Sequence, residues 1–98
     1  MDVAYSVDGV PIRLTAERWF HIVENHDNLA GHYDDVLDTE HPDLILHGHH
    51  GSLIAVRGAG RNNHLAVVYR QLSADDGFII TAYFTSKVGR SKVLWKAK

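Results

Sequence analysis

Residues 77–87, GFIITAYFTSK, alternate between apolar and more polar side chains with a period of two. β-Branched and aromatic residues dominate the segment, and this composition favours a strand. One side is apolar enough for a core and carries Phe78, Ile80, Ala82 and Phe84. The other side is more polar than a buried sheet face needs and carries Ile79, Thr81, Tyr83, Thr85 and Lys87. The pattern predicts the central strand of a small sheet, with its polar face exposed for binding.

Further strand patterns lie on both sides of this segment. They cover residues 44–46, 52–57, 64–72 and 93–95, the last of them as an edge strand. Residues 3–7 and 10–14 flank Asp8 and Gly9, a dipeptide suited to a type I′ turn. We therefore also expect a short N-terminal hairpin.

The register between residues 64–72 and 77–87 decides which side chains share a face. Pairing Leu72 with Gly77 places Arg70 on the polar face and not in the core. The core face then holds Leu65, Val67, Tyr69, Phe78, Ile80 and Phe84, and the polar face holds His64, Val68, Arg70, Thr81, Tyr83 and Thr85. A register shifted by one residue would exchange the two faces.

Two helices are expected between the hairpin and the strand at residues 44–46. Thr15 lies where a helix N-cap is favoured, and Glu17 follows in the first turn, near the positive end of the helix dipole. Three- and four-residue spacing then places one apolar face on a helix that runs to about residue 29: Trp19, Ile22, Val23, His26, Leu29 and Ala30. Residues 33–39 predict a second, short helix, which ends before Pro42.

These elements predict a single α+β domain over residues 1–98. Two N-terminal helices would pack on one face of a four-stranded, mainly antiparallel sheet, with the hairpin as an extra element. The 45% apolar content suffices for a core, and the absence of cysteine excludes disulfides and thiolate metal sites. We find no signal-peptide or membrane-span pattern, so we expect a cytoplasmic protein without membrane contact.

Charge is distributed unevenly along the chain. Residues 1–43 have a balance of −8, whereas residues 44–98 have a balance of +6. Such an asymmetry is typical of a basic half that binds a polyanion. An ordinary solvated surface with a basic tail explains the same numbers, and the composition leaves both interpretations open.

Four short runs carry a resemblance to a known group of proteins: LTAERWFHIVENHDNL, HPDLIL, LAVVYRQL and FIITAYFTS. They resemble the phage- and toxin-associated branch of the Barnase-EndoU-colicin-RelE nuclease superfamily, which includes toxins of the RelE/ParE class. The resemblance covers residues 14 to about 87. It implies a RelE-like or barnase-like domain and a toxin-type ribonuclease, although such folds also host ribosome-dependent interferases and non-nuclease toxins.

The histidines of the first helix are the first candidates for catalysis. His26 lies on the apolar face, where a histidine is commonly a satisfied core residue. Its resemblance to the second histidine of the family helix implies a general base instead. His21 falls on the opposite face and suits a surface position, but the family pattern also retains a histidine there.

Two arginines are candidate phosphate clamps. Arg70 would be costly to bury unpaired on a central strand, and its planar fork suits a scissile phosphate. Arg57 ends its strand beside the polar loop GAGRNN and is either a second clamp or a solvated strand end.

The polar strand face supplies the remaining candidates. Thr81, Tyr83 and Thr85 could position phosphate or ribose, and Tyr83 could stack on a base, but an ordinary solvent-facing sheet surface alternates in the same way. Lys87 could stabilise the transition state or merely flank an edge. Together with it we assign RNA binding to Arg61, His64, Arg90 and Lys92.

A metal site is the alternative for the cluster His47, His49 and His50. These histidines lie on a glycine-bracketed turn without carboxylate or cysteine support, so we predict no metal and no cofactor. The expected function is a metal-independent endoribonuclease that leaves a 2′,3′-cyclic phosphate, with RNA and a cognate antitoxin as partners; a homodimer is left open. The alternative is a non-enzymatic module that binds a protein through the polar face.

Overall fold

The computed structural model describes residues 1–38 and 41–98, apart from the side chain of residue 91. Seven strands form one sheet in these residues: β1 (Asp2–Tyr5), β2 (Pro11–Leu14), β3 (Leu44–His47), β4 (Leu53–Gly58), β5 (His64–Ser73), β6 (Asp76–Thr85) and β7 (Val93–Lys96). Their order is β1-β2-β6-β5-β4-β3-β7. Neighbouring strands are antiparallel except β2 and β6, which run parallel and meet where Arg13 lies opposite Phe78.

The α+β class is therefore right, but the predicted four-stranded sheet is wrong. Strands β3 to β6 form the expected meander, and it does not stop there. The N-terminal hairpin β1–β2 joins its β6 side, and β7 pairs with its β3 side. The extra strands satisfy backbone groups that a four-stranded meander would leave unpaired at its two edges. As a result β5, not the segment at residues 77–87, occupies the middle of the sheet.

Two helices precede the meander, α1 (Ala16–Asn25) and α2 (Tyr33–Leu37). Thr15 caps α1 as predicted, because its hydroxyl accepts a hydrogen bond from the backbone N–H of Arg18 at 3.1 Å. The predicted continuation to residue 29 is wrong, since His26 adopts φ −136° and ψ 76° and ends the helix. A 3₁₀ turn, Asp27–Leu29, follows. Helix α2 ends at Leu37, and residue 39, its predicted end, lies outside the described residues.

The hairpin turn is longer than the two-residue turn that Asp8 and Gly9 predict. Residues 6–10 connect β1 to β2, and only Gly9 has a positive φ, of 79°. The buried hydroxyl of Ser6 accepts hydrogen bonds from the N–H groups of Asp8 at 3.3 Å and Val10 at 3.2 Å. This side chain stabilises a wider loop, which shortens both strands.

A β-bulge in β6 changes the predicted register. Val68 lies opposite Thr81, but the next residue, Tyr69, lies opposite Ile79, so Ile80 is an extra residue. On the N-terminal side of the bulge, the core and open faces are therefore the reverse of those predicted. Ile79, predicted on the polar face, is in the core with 1% of its surface exposed. The predicted core positions of Phe78 and Ile80 are therefore wrong, and the predicted pairing of Leu72 with Gly77 is replaced by Gln71 with Gly77.

The helices cover one face of the sheet, and the larger core lies beneath them. Its largest fully buried side chains are Tyr69, Ile12, Leu14, Ile22, Leu29, Ile79 and Val36. Each aliphatic side chain among them contributes roughly 1.5–3 kcal/mol of transfer free energy. The opposite face, which we call the open face, has a smaller cluster of Leu44, Leu46 and Val56 with Ile54 and Val88 packed against it. No helix in the described residues is both long and apolar enough to cross a membrane.

Candidate functional site

Strands β5 and β6 place most of the predicted polar residues on the open face. Thr81 lies opposite Val68, and Arg70 follows two residues after Val68 on the same strand. Tyr83 and Thr85 continue this side of β6. The alternation of the two strands, read through the bulge, therefore brings together an arginine, a tyrosine and two threonines where no helix covers them.

Two adjoining cavities occupy the open face, and together we call them the basic groove. The first has a volume of about 400 Å³ and is lined by Arg70, His50 and Ile80, among others. The second has a volume of about 210 Å³ and is lined by Lys87 and Lys92. Gly48, His49, Ile54 and Tyr83 line both cavities. Among the described residues no carboxylate lines either one, so the groove favours anions.

The guanidinium of Arg70 is free to bind. Arg70 is exposed, and within residues 1–38 and 41–98 it makes neither an ion pair nor a side-chain hydrogen bond. A Cβ atom built at Gly51 would lie 3.7 Å from its Nη2 atom, so the guanidinium borders the turn after β3. In that turn His50 has a positive φ of 55°.

His26 lies beside the basic groove, at the end of α1, and lines neither of its two cavities. Its ring centroid lies 6.0 Å from that of Tyr83, with the planes tilted by 38°. His26 is the C-cap of α1 and has non-helical φ and ψ, so the helical period that the sequence suggests does not set the direction of its side chain. The half-buried imidazole thus contacts a ring that lines the basic groove.

Thr85 shapes the loop that carries Lys87. Its hydroxyl accepts a hydrogen bond from the N–H of Lys87 and donates one to the carbonyl of the same residue, both at 3.1 Å. A hydroxyl held in this way is committed to the backbone. We therefore place Thr85 as a residue that positions Lys87.

The structure does not bring every predicted site residue to the groove. His21 is exposed on α1, with Nε2 4.0 Å from the Glu17 carboxylate. Arg61 is exposed in the loop after β4, and Arg90 is exposed in the short 3₁₀ helix before β7. His64 starts β5, and its Nδ1 atom is buried without a hydrogen-bond partner in the described chain. None of these four lines the two cavities.

Arg57 lies on the helix-covered face, away from Arg70. Its Nη1 atom donates to the carbonyl of Asp38 at 3.1 Å and to the Asp38 carboxylate, and its Nη2 atom donates to the carbonyl of Asp35 at 3.0 Å. The guanidinium thus satisfies acceptors at the end of α2. This arrangement ties α2 to β4 and leaves the fork of Arg57 occupied.

Sequence reasoning missed His32 altogether and gave His49 no catalytic role, and the fold places both in cavities. His32 lines a cleft of about 710 Å³ on the helix-covered face, where its Nδ1 atom lies 2.9 Å from the Asp35 carboxylate and its ring contacts Phe84 edge-on at 5.0 Å. The three-residue spacing of His32 and Asp35 was the available signal. His49 was considered only as a metal ligand, yet it lines both parts of the basic groove.

The described residues contain no group of three or more histidine, aspartate or glutamate side chains arranged to hold a metal ion. Comparison with known proteins adds no relative. No protein-family model matches the sequence, and neither a curated protein nor a solved structure is significantly similar to it. The functional argument therefore rests on the residues of the groove.

Proposed function

We propose that this protein is a metal-independent endoribonuclease of the toxin type and that the basic groove is its RNA site. The observation that supports the proposal most is the collection of Arg70, Lys87 and Lys92 on one uncovered face, where no carboxylate from the described part of the chain lines the cavities. Unpaired cations in a concave surface attract a polyanion and align its phosphates.

The groove suits single-stranded RNA better than a duplex. Tyr83 lines both cavities and offers a ring on which an unpaired base stacks, and Ile54 and Ile80 provide apolar contact beside it. Arg70 binds a phosphate through its planar fork. Lys87 and Lys92 neutralise the neighbouring phosphates in the second cavity.

Cleavage proceeds by attack within the RNA chain. His26 takes the proton of a ribose 2′-hydroxyl, the 2′-oxygen bonds to the adjacent phosphorus, and the bond from phosphorus to the 5′-oxygen breaks. His49 gives a proton to the departing 5′-oxygen, which leaves a 2′,3′-cyclic phosphate and a 5′-hydroxyl. Arg70 stabilises the charge that develops on the phosphoryl oxygens. All groups in these steps belong to the protein or the substrate, so activity is expected to persist in EDTA.

The test compares cleavage of bulk RNA with thermal stability. We expect His26→Gln to reduce the cleavage rate by about 10²-fold to 10⁴-fold, because glutamine retains hydrogen bonding but cannot take the proton. Arg70→Lys keeps the charge but loses the bidentate fork, so it is expected to slow cleavage while RNA still binds. Melting temperatures of both variants should match the parent.

His21→Gln is the matched control, since His21 is exposed on the same helix and lies outside the groove. Its cleavage rate is expected to equal that of the parent. The proposal fails if His26→Gln and Arg70→Lys melt and cleave like the parent, or if EDTA abolishes cleavage and added zinc or magnesium restores it. Growth arrest on induction of the parent, relieved by a co-expressed antitoxin, would support its role as a toxin.

One observation favours a second candidate, a protein-binding module without enzymatic activity. The open face also has the apolar cluster of Leu44, Leu46 and Val56, with Ile54 and Val88 beside it, and Val88 is partly exposed. Apolar side chains on a sheet face without helices suit a protein partner. If this candidate is correct, RNA neither binds nor is cut at any salt concentration, and a protein partner co-purifies with the chain.

A further inference from the structure

Strand β7 forms an unpaired edge of the sheet and exposes a concentrated apolar surface. Within residues 1–38 and 41–98 it pairs only with β3, so its outer edge presents free backbone N–H and C=O groups. Three large apolar side chains are exposed in this four-residue strand: Val93 at 37%, Leu94 at 53% and Trp95 at 38%. An exposed, apolar strand edge is a surface on which another strand can pair.

The charge around this edge is of one sign. Residues 87–98 contain Lys87, Arg90, Lys92, Lys96 and Lys98 and no acidic residue. In the described parts of the chain none of these five makes an ion pair. A second copy of β7 would bring lysines against lysines, so the edge disfavours self-pairing. A partner with carboxylates would relieve the same repulsion.

The pairing of β7 with β3 assigns the partner a side-chain pattern. Lys96 lies opposite Leu44, which belongs to the open-face cluster, so Lys96 faces that side. Trp95 lies opposite Ile45 and faces the other side. A strand added outside residues 95 and 96 therefore meets an ammonium group on one face and an indole ring on the other. A bulge between Ile45 and Leu46 places Val93 opposite Leu46, on the same face as Lys96. Carboxylate and apolar side chains in alternation match the ammonium group and the indole ring.

We propose that β7 is a docking edge for an extended, acidic protein segment, which adds as an eighth strand and alternates carboxylate with apolar side chains. This interaction goes beyond the proposed cleavage, since it uses the sheet edge and not the groove histidines; it shares the positive charges of Lys87 and Lys92 with the groove. RNA explains the edge less well, because a nucleic-acid backbone offers no peptide ladder to pair with the N–H and C=O groups of β7. The opposite edge differs in charge, for β1 carries Asp2, which accepts a hydrogen bond from the Tyr33 hydroxyl.

The test uses the full chain and a labelled nine-residue peptide in which glutamate alternates with valine. Two control peptides have lysine in place of glutamate, or proline in place of two valines at unchanged charge. We expect the glutamate peptide to bind and each control to bind at least about tenfold more weakly. Hydrogen exchange measured by NMR should show new protection at the amides of residues 93–96.

Charge reversal locates the site. Lys96→Glu is expected to weaken peptide binding by about tenfold, because it replaces an attraction by a repulsion. Arg18→Glu makes the same change in net charge on α1 and is expected to leave binding unchanged. Both positions are exposed, and melting curves check that both variants fold.

Five results would overturn the proposal. The first is absence of binding at peptide concentrations up to about 1 mM. The second is equal binding of the proline peptide, which would reduce the interaction to charge alone. The third is hydrogen-exchange protection at the amides of residues 2–5 in place of residues 93–96. The fourth is displacement of the peptide by an oligouridylate that protects the same β7 amides from exchange. Concentration-dependent dimerisation through β7 would likewise replace the proposed partner by a second copy.

Discussion

Two arginines on neighbouring strands show how differently the two faces of this sheet use the same side chain. Arg57 on β4 points to the helix-covered face, where two carbonyls and a carboxylate occupy its guanidinium. Arg70 on β5 points to the open face and has no such partner in the described residues. The difference teaches that a strand arginine holds the fold together when its donors are satisfied within the chain, and is free for a ligand when they are not.

The contrast between the faces is tested most strongly at the bulge in β6. Ile79→Thr is expected to destabilise the protein by about 2–4 kcal/mol, since it removes buried volume and buries a hydroxyl beneath the helices. Ile80→Thr alters the half-buried neighbour on the open face and should cost less than about 1 kcal/mol. Both substitutions keep a β-branched side chain, so strand propensity changes little. Urea unfolding measures the difference, and equal losses would contradict the bulged register.

The arginines themselves provide the next test. Arg57→Ala is expected to lower the free energy of unfolding by about 1–2 kcal/mol, because carbonyls at the end of α2 lose their donors. Arg70→Ala should stay within about 0.5 kcal/mol of the parent but weaken RNA binding. Chemical denaturation and a filter-binding titration on the same two proteins separate the outcomes. If Arg57→Ala weakened RNA binding as much as Arg70→Ala, the division of roles between the faces would be wrong.

A smaller effect is expected at alkaline pH from the helix-covered core. Burial, with Asp8 as a lesser cause, raises the pKa of Tyr69 from 10.0 to about 12. The unfolded chain thus loses this proton first, and the stability that Tyr69 contributes is complete below pH 10 and is lost as the pH rises toward 12. Tyr69→Phe has no hydroxyl to ionise, so its stability should fall less between pH 10 and pH 12. Parallel pH profiles for the two proteins would argue against this assignment.

Tyr33 titrates in the same range for a different reason. Its pKa is raised to about 12, chiefly because its hydroxyl donates to the Asp2 carboxylate and secondly by desolvation. The stability that Tyr33 contributes is also lost as the pH rises from 10 toward 12. Tyr33→Phe therefore serves as the comparison that separates the hydrogen bond between α2 and β1 from burial in the core.

Local signals predicted the elements well and their assembly less well. Thr15 marked the start of α1, and alternation found β5 and β6, because capping and side-chain period are properties of a few adjacent residues. The join of β2 to β6 depends on residues far apart in the chain, and no local pattern reports it. The bulge at Ile80 was missed since isoleucine is compatible with either face, and one extra residue reverses every position beyond it.

The candidate site was predicted in part for the same reason. Arg70 on β5 and Thr81 and Tyr83 on β6 lie on one face of the sheet, and the period of two within each strand grouped them. Arg57 was separated from them by the alternation of β4, whose register against β5 the sequence does not specify. The position of His49 in the groove could not be predicted from the sequence. His49 lies in a turn in which His50 has a positive φ, and side-chain periodicity does not describe such a turn.

The single parallel contact between β2 and β6 has a consequence for synthesis on the ribosome. Arg13 of β2 forms a two-pronged ion pair with Asp76 of β6, with bonds of 2.8 and 3.2 Å across 63 residues of sequence. At translation rates of about 5–20 residues per second, Asp76 follows Arg13 by roughly 3–13 s. A two-stranded hairpin is marginally stable during that interval, so β1 and β2 wait in solvent with Ile12 and Leu14 uncovered. The segment made earlier thus reaches its place in the sheet late, and chaperones that bind apolar nascent chains have seconds in which to find it.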